Sequence, residues 1–530
     1  MAENSSPVGK RLLLVRSSLI VGAMTMVSRI LGLIRDVVFA GYFGANSSAD
    51  AFFIAFKIPN FLRRLFGEGA FTQAFVPVLI EYRENMSFLK LKELIDRVCG
   101  VLGCALMAVT SVGVFAAPVI AGIFAPGFIG YPEKFELTVQ LIRITFPYLF
   151  LISMTGFCGA ILNSYERFAT PAFTPVLLNL SLISAAIFFS PMISTPVMAL
   201  AWGVLIAGLL QLLFQIPQLY RLNLLPRPTW DIGDPGVRKI LKLMLPFLFG
   251  VSVSQVNLLL DTVIASFLVE GSVSWLYYSD RLVELPLGVF GVAVATVILP
   301  SLSLHKTSEQ IYMFQNTLDW AIRLILFISI PASVALISLA EPILITLFKY
   351  GAMSAEDISM ATLSLRAYSV GLVAFMLIKI LVTGYFSRQD AVTPVRIGII
   401  AMIANMLMNL IFVLGFLKFM NAGHVGLALA TSMAAVLNAA LLFKGLVDRQ
   451  IFIFKPGWLA FSIRICLATS GMLFVIEILQ AETSEWLKWE WRQRIFQLSY
   501  ICLAGFFSYL SLSFVFGARP SQFASPLRSS

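Results

Sequence analysis

Apolar stretches of eighteen residues or more recur from residue 17 to residue 516, separated by short polar links. Inside a bilayer no water satisfies backbone N–H and C=O groups, so such a stretch can cross only as a helix with internal hydrogen bonds. The pattern predicts fourteen spans, at approximately 17–42, 50–80, 98–125, 137–160, 169–191, 196–220, 240–268, 273–304, 315–339, 343–386 (broken near its start), 392–417, 424–447, 457–480 and 494–516. Charged residues make up only 12% of the chain, about half their share in soluble domains. No loop exceeds roughly 25 residues, which leaves no room for a soluble domain. The first stretch is not read as a cleaved signal peptide, because it holds two arginines and an aspartate and lacks a small-x-small cleavage site.

The ionisable residues inside these stretches therefore need explaining. Arg29, Arg35 and Asp36 lie in the first span, and Asp50, Lys57, Arg63, Arg64 and Glu68 in the second. Asp280, Arg281 and Glu284 lie in the eighth. Six cations facing lipid would cost on the order of 15 kcal/mol or more. They must face one another, a water-filled cavity or a polar ligand, and a basic cavity implies anionic cargo. Arg29 and Asp36 are seven residues apart and so point within ~20° of each other, with Arg35 on an adjacent face. Asp50, Lys57 and Arg64 repeat the same step and form a stripe with Arg63 beside it. Pro59 should turn the lower half of that helix. Asp280 and Glu284 are i,i+4 and Arg281 and Glu284 i,i+3, so local pairing is expected.

The net charge of +10 follows from topology. With the N-terminus cytoplasmic, twenty Lys and Arg fall on the inner side. Six fall on the outer side, namely Lys134, Lys349, Lys418, Lys488, Arg492 and Arg494. This positive-inside bias, with an even span count, puts both termini in the cytoplasm. The five cysteines sit in or beside apolar spans and read as buried structural thiols. His305 and His424 are isolated, and HExxH, GxSxG and the Walker P-loop are absent, so neither a His/Cys metal site nor ATP hydrolysis is expected.

The chain also repeats itself. DVVFAGYFGANSSADAFF from Asp36 aligns with DTVIASFLVEGSVSWLYY from Asp261, an offset of 225. Pro77 and Pro300 differ by 223, as do SYERFATP (164–171) and SRQDAVTP (387–394). An offset near 224 is six spans, an even number, so the two copies share one orientation. The predicted fold is an all-α polytopic membrane protein of two parallel six-helix repeats plus two C-terminal helices. Its expected division is 1–235 (spans 1–6), 236–450 (spans 7–12) and 451–530 (spans 13–14).

The run MTMVSRILGLIRDVVFAGYFGANSSADAFFIAFKIPNFLRRLFGEGAFTQAFVPVL resembles the N-terminal signature of the MurJ (MviN) family, and SVSWLYYSDRLVELPLGVFGVAVATVILPSL in the second copy matches as well. That family is similar to the multidrug/oligosaccharidyl-lipid/polysaccharide exporters. The resemblance implies a flippase, not an enzyme, of the bacterial inner membrane. Its cargo would be lipid II, the undecaprenyl-diphosphate-linked peptidoglycan precursor, moved from inner to outer leaflet by alternating access. The implied substrate-binding residues are Arg29, Arg35, Arg63 and Arg281, with the cavity carboxylates Asp50 and Glu284. Arginine suits a diphosphate because its planar fork binds phosphate oxygens bidentately. The alternative is a set of salt bridges that lock one state. Asp36, Lys57, Arg64, Glu68 and Asp280 read as gate or structural charges. Spans 13–14 would provide a groove for the polyprenyl tail or pack plainly against lipid.

No cofactor is expected other than a coupling cation. Asp261, Asn405, Asn409 and Thr431 offer oxygens suited to Na+, and helix–helix hydrogen bonding is the alternative. Otherwise the driving force would be membrane potential. The implied partners are lipid II, membrane lipids and peptidoglycan-synthesis enzymes, with no nucleic acid. A flippase for another polyprenyl-linked glycan is the nearest rival. A drug/cation antiporter should have an acidic cavity, and a glycan polymerase would need a large outer loop with catalytic carboxylates.

Overall fold

A computed structural model describes residues 7–64, 71–291, 293–295, 298, 308–420 and 422–519, with backbone alone at 7–19, 245–255, 308–311 and 416–420. The described residues form helices and contain no strand. Among the described residues, ten helices are long and apolar enough to cross a membrane. They correspond to spans 3–6 and 9–14. The remaining expected spans, 1, 2, 7 and 8, are the first pair of each repeat, where the intramembrane charges lie.

By packing, the chain divides into two units, Met1–Gly271 and Ser272–Ser530. The first holds α1 (Pro7–Phe43), α2 (Ser47–Leu62), α3 (Thr72–Asn85), α4 (Phe88–Phe115), α5 (Ala117–Phe124), α6 (Pro132–Thr145), α7 (Tyr148–Ser164), α8 (Ala169–Ser184), α9 (Met198–Arg221) and α10 (Pro235–Ala265). Helix α1 lies on α8, α2 on α6, and α9 on both α7 and α8. Helix α10 belongs to the second sequence repeat yet packs on α3 and α5 of the first. The linker preceding it is strapped to α4: the Thr229 N–H donates to the Asp96 carbonyl at 3.1 Å, and Arg97 pairs with Asp231 and Asp234. The duplication boundary and the packing boundary therefore differ by one helix.

The second unit holds α11 (Ser272–Pro286), α12 (Ser308–Ser338), α13 (Ala340–Phe348), α14 (Ala355–Phe386), α15 (Val392–Met420), α16 (Gly423–Asp448), α17 (Trp458–Leu479), α18 (Thr483–Lys488) and α19 (Trp491–Val515). Helix α16 packs on α14 and α15, and α14 also on α11 and α12. A Cβ on Gly371 would meet the Ser432 Cα at 2.8 Å, so α14 and α16 approach closely only because Gly371 lacks one.

The duplication is written into the backbone. Four non-glycine residues adopt positive φ among the described residues, and they form two pairs. Glu166 and Gln389 share φ 61° at the expected offset of 223, and Asn223 and Gln450 share φ 55°. Helices α2 and α11 begin at equivalent positions, Ser47 and Ser272, and both run on into π-helical turns, at 63–64 and 287–291.

Prolines expose carbonyls that other helices take up. Pro59 has no N–H for the Ala55 carbonyl, and the buried Thr145 hydroxyl of α6 donates to it at 3.3 Å. Pro331 likewise frees the Phe327 carbonyl, which accepts from the Tyr509 hydroxyl of α19 at 2.7 Å. The C-terminal helices thus dock on the second unit through a specific polar contact.

One sequence expectation needs correction. Cys104, Cys466 and Cys502 are exposed, and only Cys99 and Cys158 are buried. An apolar span here turns one face outward toward lipid, so apolar surroundings do not imply burial in protein. Arg494 and Lys134, counted on the outer side, are bound within their units, Arg494 by backbone carbonyls and Lys134 by Asp50.

Asp390 fixes the start of α15. It accepts from the Thr393 N–H and hydroxyl and pairs with Arg449 at 2.6 Å. These bonds, led by the Thr393 N–H, lower its pKa from 3.8 to about 2. A depressed carboxylate pKa contributes stability above pH 3.8 that is lost as pH falls to about 2. Thermal unfolding between those pH values should show this dependence, and Asp390→Asn should remove it.

Candidate functional site

The charged positions of the first unit differ in how they are held. Arg35 and Asp36, both buried, pair directly: Arg35 Nε and Nη2 donate to Asp36 Oδ1 at 3.0 and 2.7 Å. Arg35 Nη1 donates to Asn179 Oδ1 on α8 at 3.0 Å, and the guanidinium lies over the Phe39 ring. The Asn179 amide returns a bond to the Ser28 carbonyl at 2.9 Å. This network joins α1 to α8. The seven-residue step aligns Asp36 with Arg29, but the two lie about 10 Å apart along the axis, and the adjacent Arg35 takes the carboxylate.

Arg29 contrasts with it. The side chain is half-buried and makes no ion pair or hydrogen bond with a described residue.

Asp50 sits in the first turn of α2, which Asn46 caps by accepting from the Ala49 N–H at 2.9 Å. The carboxylate is 1% exposed. It pairs with Lys134 of α6 at 3.1 Å and accepts the Gly271 N–H at 2.9 Å. The Ser47 N–H donates to Glu270 at 2.6 Å, so the turn after α1 meets the segment that leads into α11. Lys134 also lies 4.0 Å from the Phe128 ring centre. Asp50 is thus a latch carboxylate, held on several sides at one end of α2.

Toward the other end of α2, Lys57 and Arg63 are half-buried and Arg64 is exposed. Arg63 Nε reaches Asn60 Oδ1 at 3.4 Å from within the π-helical turn that follows Pro59. Glu68 lies outside the described residues.

In the second unit, the local pairing expected on α11 is present. Arg281 Nη1 binds Glu284 Oε2 at 2.8 Å, and the guanidinium stacks over Tyr277 at 5.0 Å. Both side chains keep a third or more of their surface exposed, so a ligand could still reach them. Asp280 is half-buried on the same helix. Asn409 donates to Asn405 Oδ1 at 2.9 Å, and Asn405 to Thr431 Oγ1 at 3.5 Å. These amides bond α15 to α16. Asp261 lies on α10 in the first unit.

Sequence reading missed Asn179, Thr145 and Lys134 as partners. Asn179 carried a signal, being an amide in an otherwise apolar span, and Thr145 stood opposite no visible proline until the helices were packed.

A duplicated helical bundle with arginines and carboxylates concentrated in the first helix pair of each copy defines a membrane transporter built from repeats. An inward-facing multidrug resistance MATE family transporter of the MOP superfamily shares the fold, with TM-score 0.65 and 16% identity over 81% of this chain and 97% of that one. The sequence pattern of the lipid II flippase MurJ family matches residues 39–496. A probable lipid II flippase MurJ of Vibrio cholerae is 48% identical over 520 residues, 97% of each chain. The lipid II flippase MurJ of Burkholderia cenocepacia is 41% identical over 456 residues, 85% of this chain and 87% of that one. A lipid II flippase MurJ in an inward closed conformation superposes with TM-score 0.79 at 30% identity, over 94% of this chain and 98% of that one. The chain belongs to the lipid II flippase MurJ family, as its N-terminal run implied.

Proposed function

We propose that this protein flips lipid II from the inner to the outer leaflet of the bacterial cytoplasmic membrane by alternating access, with both termini cytoplasmic. Family membership over nearly the whole chain carries the reading. The chemistry of the charged positions supports it: Arg29 makes no ion pair or hydrogen bond with a described residue, and Arg281, though paired with Glu284, keeps a third of its side-chain surface exposed. Both are suited to diphosphate oxygens. Transport makes and breaks no covalent bond. Membrane potential or an ion gradient supplies the uphill term, and one elementary charge across 100 mV provides about 2.3 kcal/mol. Peptidoglycan-synthesis enzymes that supply or consume lipid II are the natural partners. Depletion of the protein followed by a leaflet-accessibility assay should show lipid II accumulating on the inner face. Unchanged outer-leaflet lipid II would overturn the reading.

The Arg281–Glu284 pair allows a sharper measurement. If Arg281 binds the diphosphate, Arg281→Ala loses lipid II binding and adding Glu284→Ala does not restore it. If the pair only locks a conformation, the double variant recovers, since no charge is left unpaired. The first result is expected.

A further inference from the structure

The first unit contains a cavity of about 220 Å3 that lies apart from all the charged positions above. Val98, Val101, Leu102, Ala105 and Val109 of α4 form one wall, and Val237 and Leu241 of α10 belong to the facing one. Among the described lining residues only Ser153 carries a polar side chain. Such a cavity offers water too few partners to hold it. Val109 and Leu241 are exposed at its rim, so it opens to the lipid-facing surface. Along α4 the lining spans eleven residue steps, about 16 Å at 1.5 Å per residue. That is close to half of a ~30 Å hydrocarbon core, the depth of one leaflet.

The charges at one end choose the occupant. Arg238 and Lys242 flank Leu241 on α10, are exposed, and pair with no described residue. The neighbouring carboxylates are already engaged, Glu81 by Lys239 and Asp231 and Asp234 by Arg97. Trp230, exposed on the strap just before α10, suits the membrane–water interface. Two cations with no ion-pair partner among the described residues, beside the rim residue Leu241 of a one-leaflet apolar groove, complement a negatively charged headgroup above an acyl chain. We infer that the α4–α10 groove is a binding site for an anionic phospholipid of the leaflet adjoining the start of α10, with its phosphate on Arg238 and Lys242.

The test uses the purified full chain without lipid II, so its outcome is independent of the flippase reading. Phosphatidylglycerol and phosphatidylcholine are titrated in mixed micelles, with retained lipid counted by native mass spectrometry and thermal stability followed in parallel. Wild type should retain one phosphatidylglycerol and be stabilised by it over phosphatidylcholine. Arg238→Gln with Lys242→Gln should reduce that preference roughly tenfold or more. Arg221→Gln with Lys444→Gln, an equal loss of charge elsewhere, should leave it intact. Ala105→Phe, which fills the groove, should abolish retention, and Val109→Phe at the exposed rim makes the same test if Ala105→Phe does not fold. Equal response to both lipids, equal loss in the charge control, or retention in the groove-filled variant would each overturn the site. Retention of detergent or phosphatidylcholine alone would also overturn it.

Discussion

Arg29→Ala is expected to abolish complementation while the protein accumulates and unfolds like wild type, whereas Arg35→Ala should fail by losing stability. The difference lies in what each guanidinium touches. Arg29 has no partner among the described residues, so its removal leaves no buried carboxylate or carbonyl exposed and takes away only charge available to a ligand. Arg35 is bound to Asp36 and Asn179 in the α1–α8 interface. Removing it breaks the buried Arg35–Asp36 ion pair and the bond to Asn179, a loss on the order of 3–5 kcal/mol for a buried pair. The sequence alone suggests the same outcome for both arginines, a functional defect at normal protein level. Complementation at native expression, paired with thermal unfolding in detergent and a lipid II binding assay, distinguishes them. Growth supported by Arg29→Ala would remove Arg29 from the substrate site.

Arg494→Met should have the largest effect on stability in the second unit. The buried guanidinium donates to four carbonyls: Trp486 at 3.0 Å, Leu487 at 3.1 Å, Lys349 at 3.2 Å and Ile345 at 3.4 Å. It also lies over the Tyr350 ring. Two of those carbonyls belong to the C-terminal end of α13 and its cap, and two to α18, so a single side chain ties α19 to both. Hydrogen bonds to a charged group contribute about 1.5–3 kcal/mol each. They are not additive, and a loss on the order of 4 kcal/mol or more is expected. Limited proteolysis between residues 480 and 490 should accelerate in the same variant. Arg494→Lys keeps the charge but not the planar fork and should recover less than half of the loss. Normal unfolding of Arg494→Met would show that the C-terminal pair is held by apolar packing alone.

The fold class was legible in the sequence because a bilayer permits few backbone solutions. Apolar stretches of sufficient length must be helices, and three alignments at offsets of 223 to 225 announced a duplication that the matched positive-φ residues repeat in the backbone. The helix break at the start of span 10 was likewise legible, since a short polar interruption acts locally, whereas α2 runs through Pro59 to Leu62. The intramembrane charges stood out because lipid makes them costly wherever they point.

Their partners were not legible. Helical spacing aligned Asp36 with Arg29, yet Asp36 binds the adjacent Arg35, because Arg29 lies two turns away and the approach of Asn179 on α8 holds Arg35 in place. Asp50 carried a functional reading from the resemblance. Only packing places Lys134 and the Gly271 N–H, 84 and 221 residues away in sequence, on its oxygens. Cysteine burial failed for the same reason, because hydropathy measures affinity for an apolar medium and does not distinguish lipid from protein. The sequence by itself determined that this chain crosses a membrane as duplicated helices and carries costly charge into it. Only the tertiary structure decided which partners the described charges take within the protein, because pairing depends on contacts between helices remote in sequence.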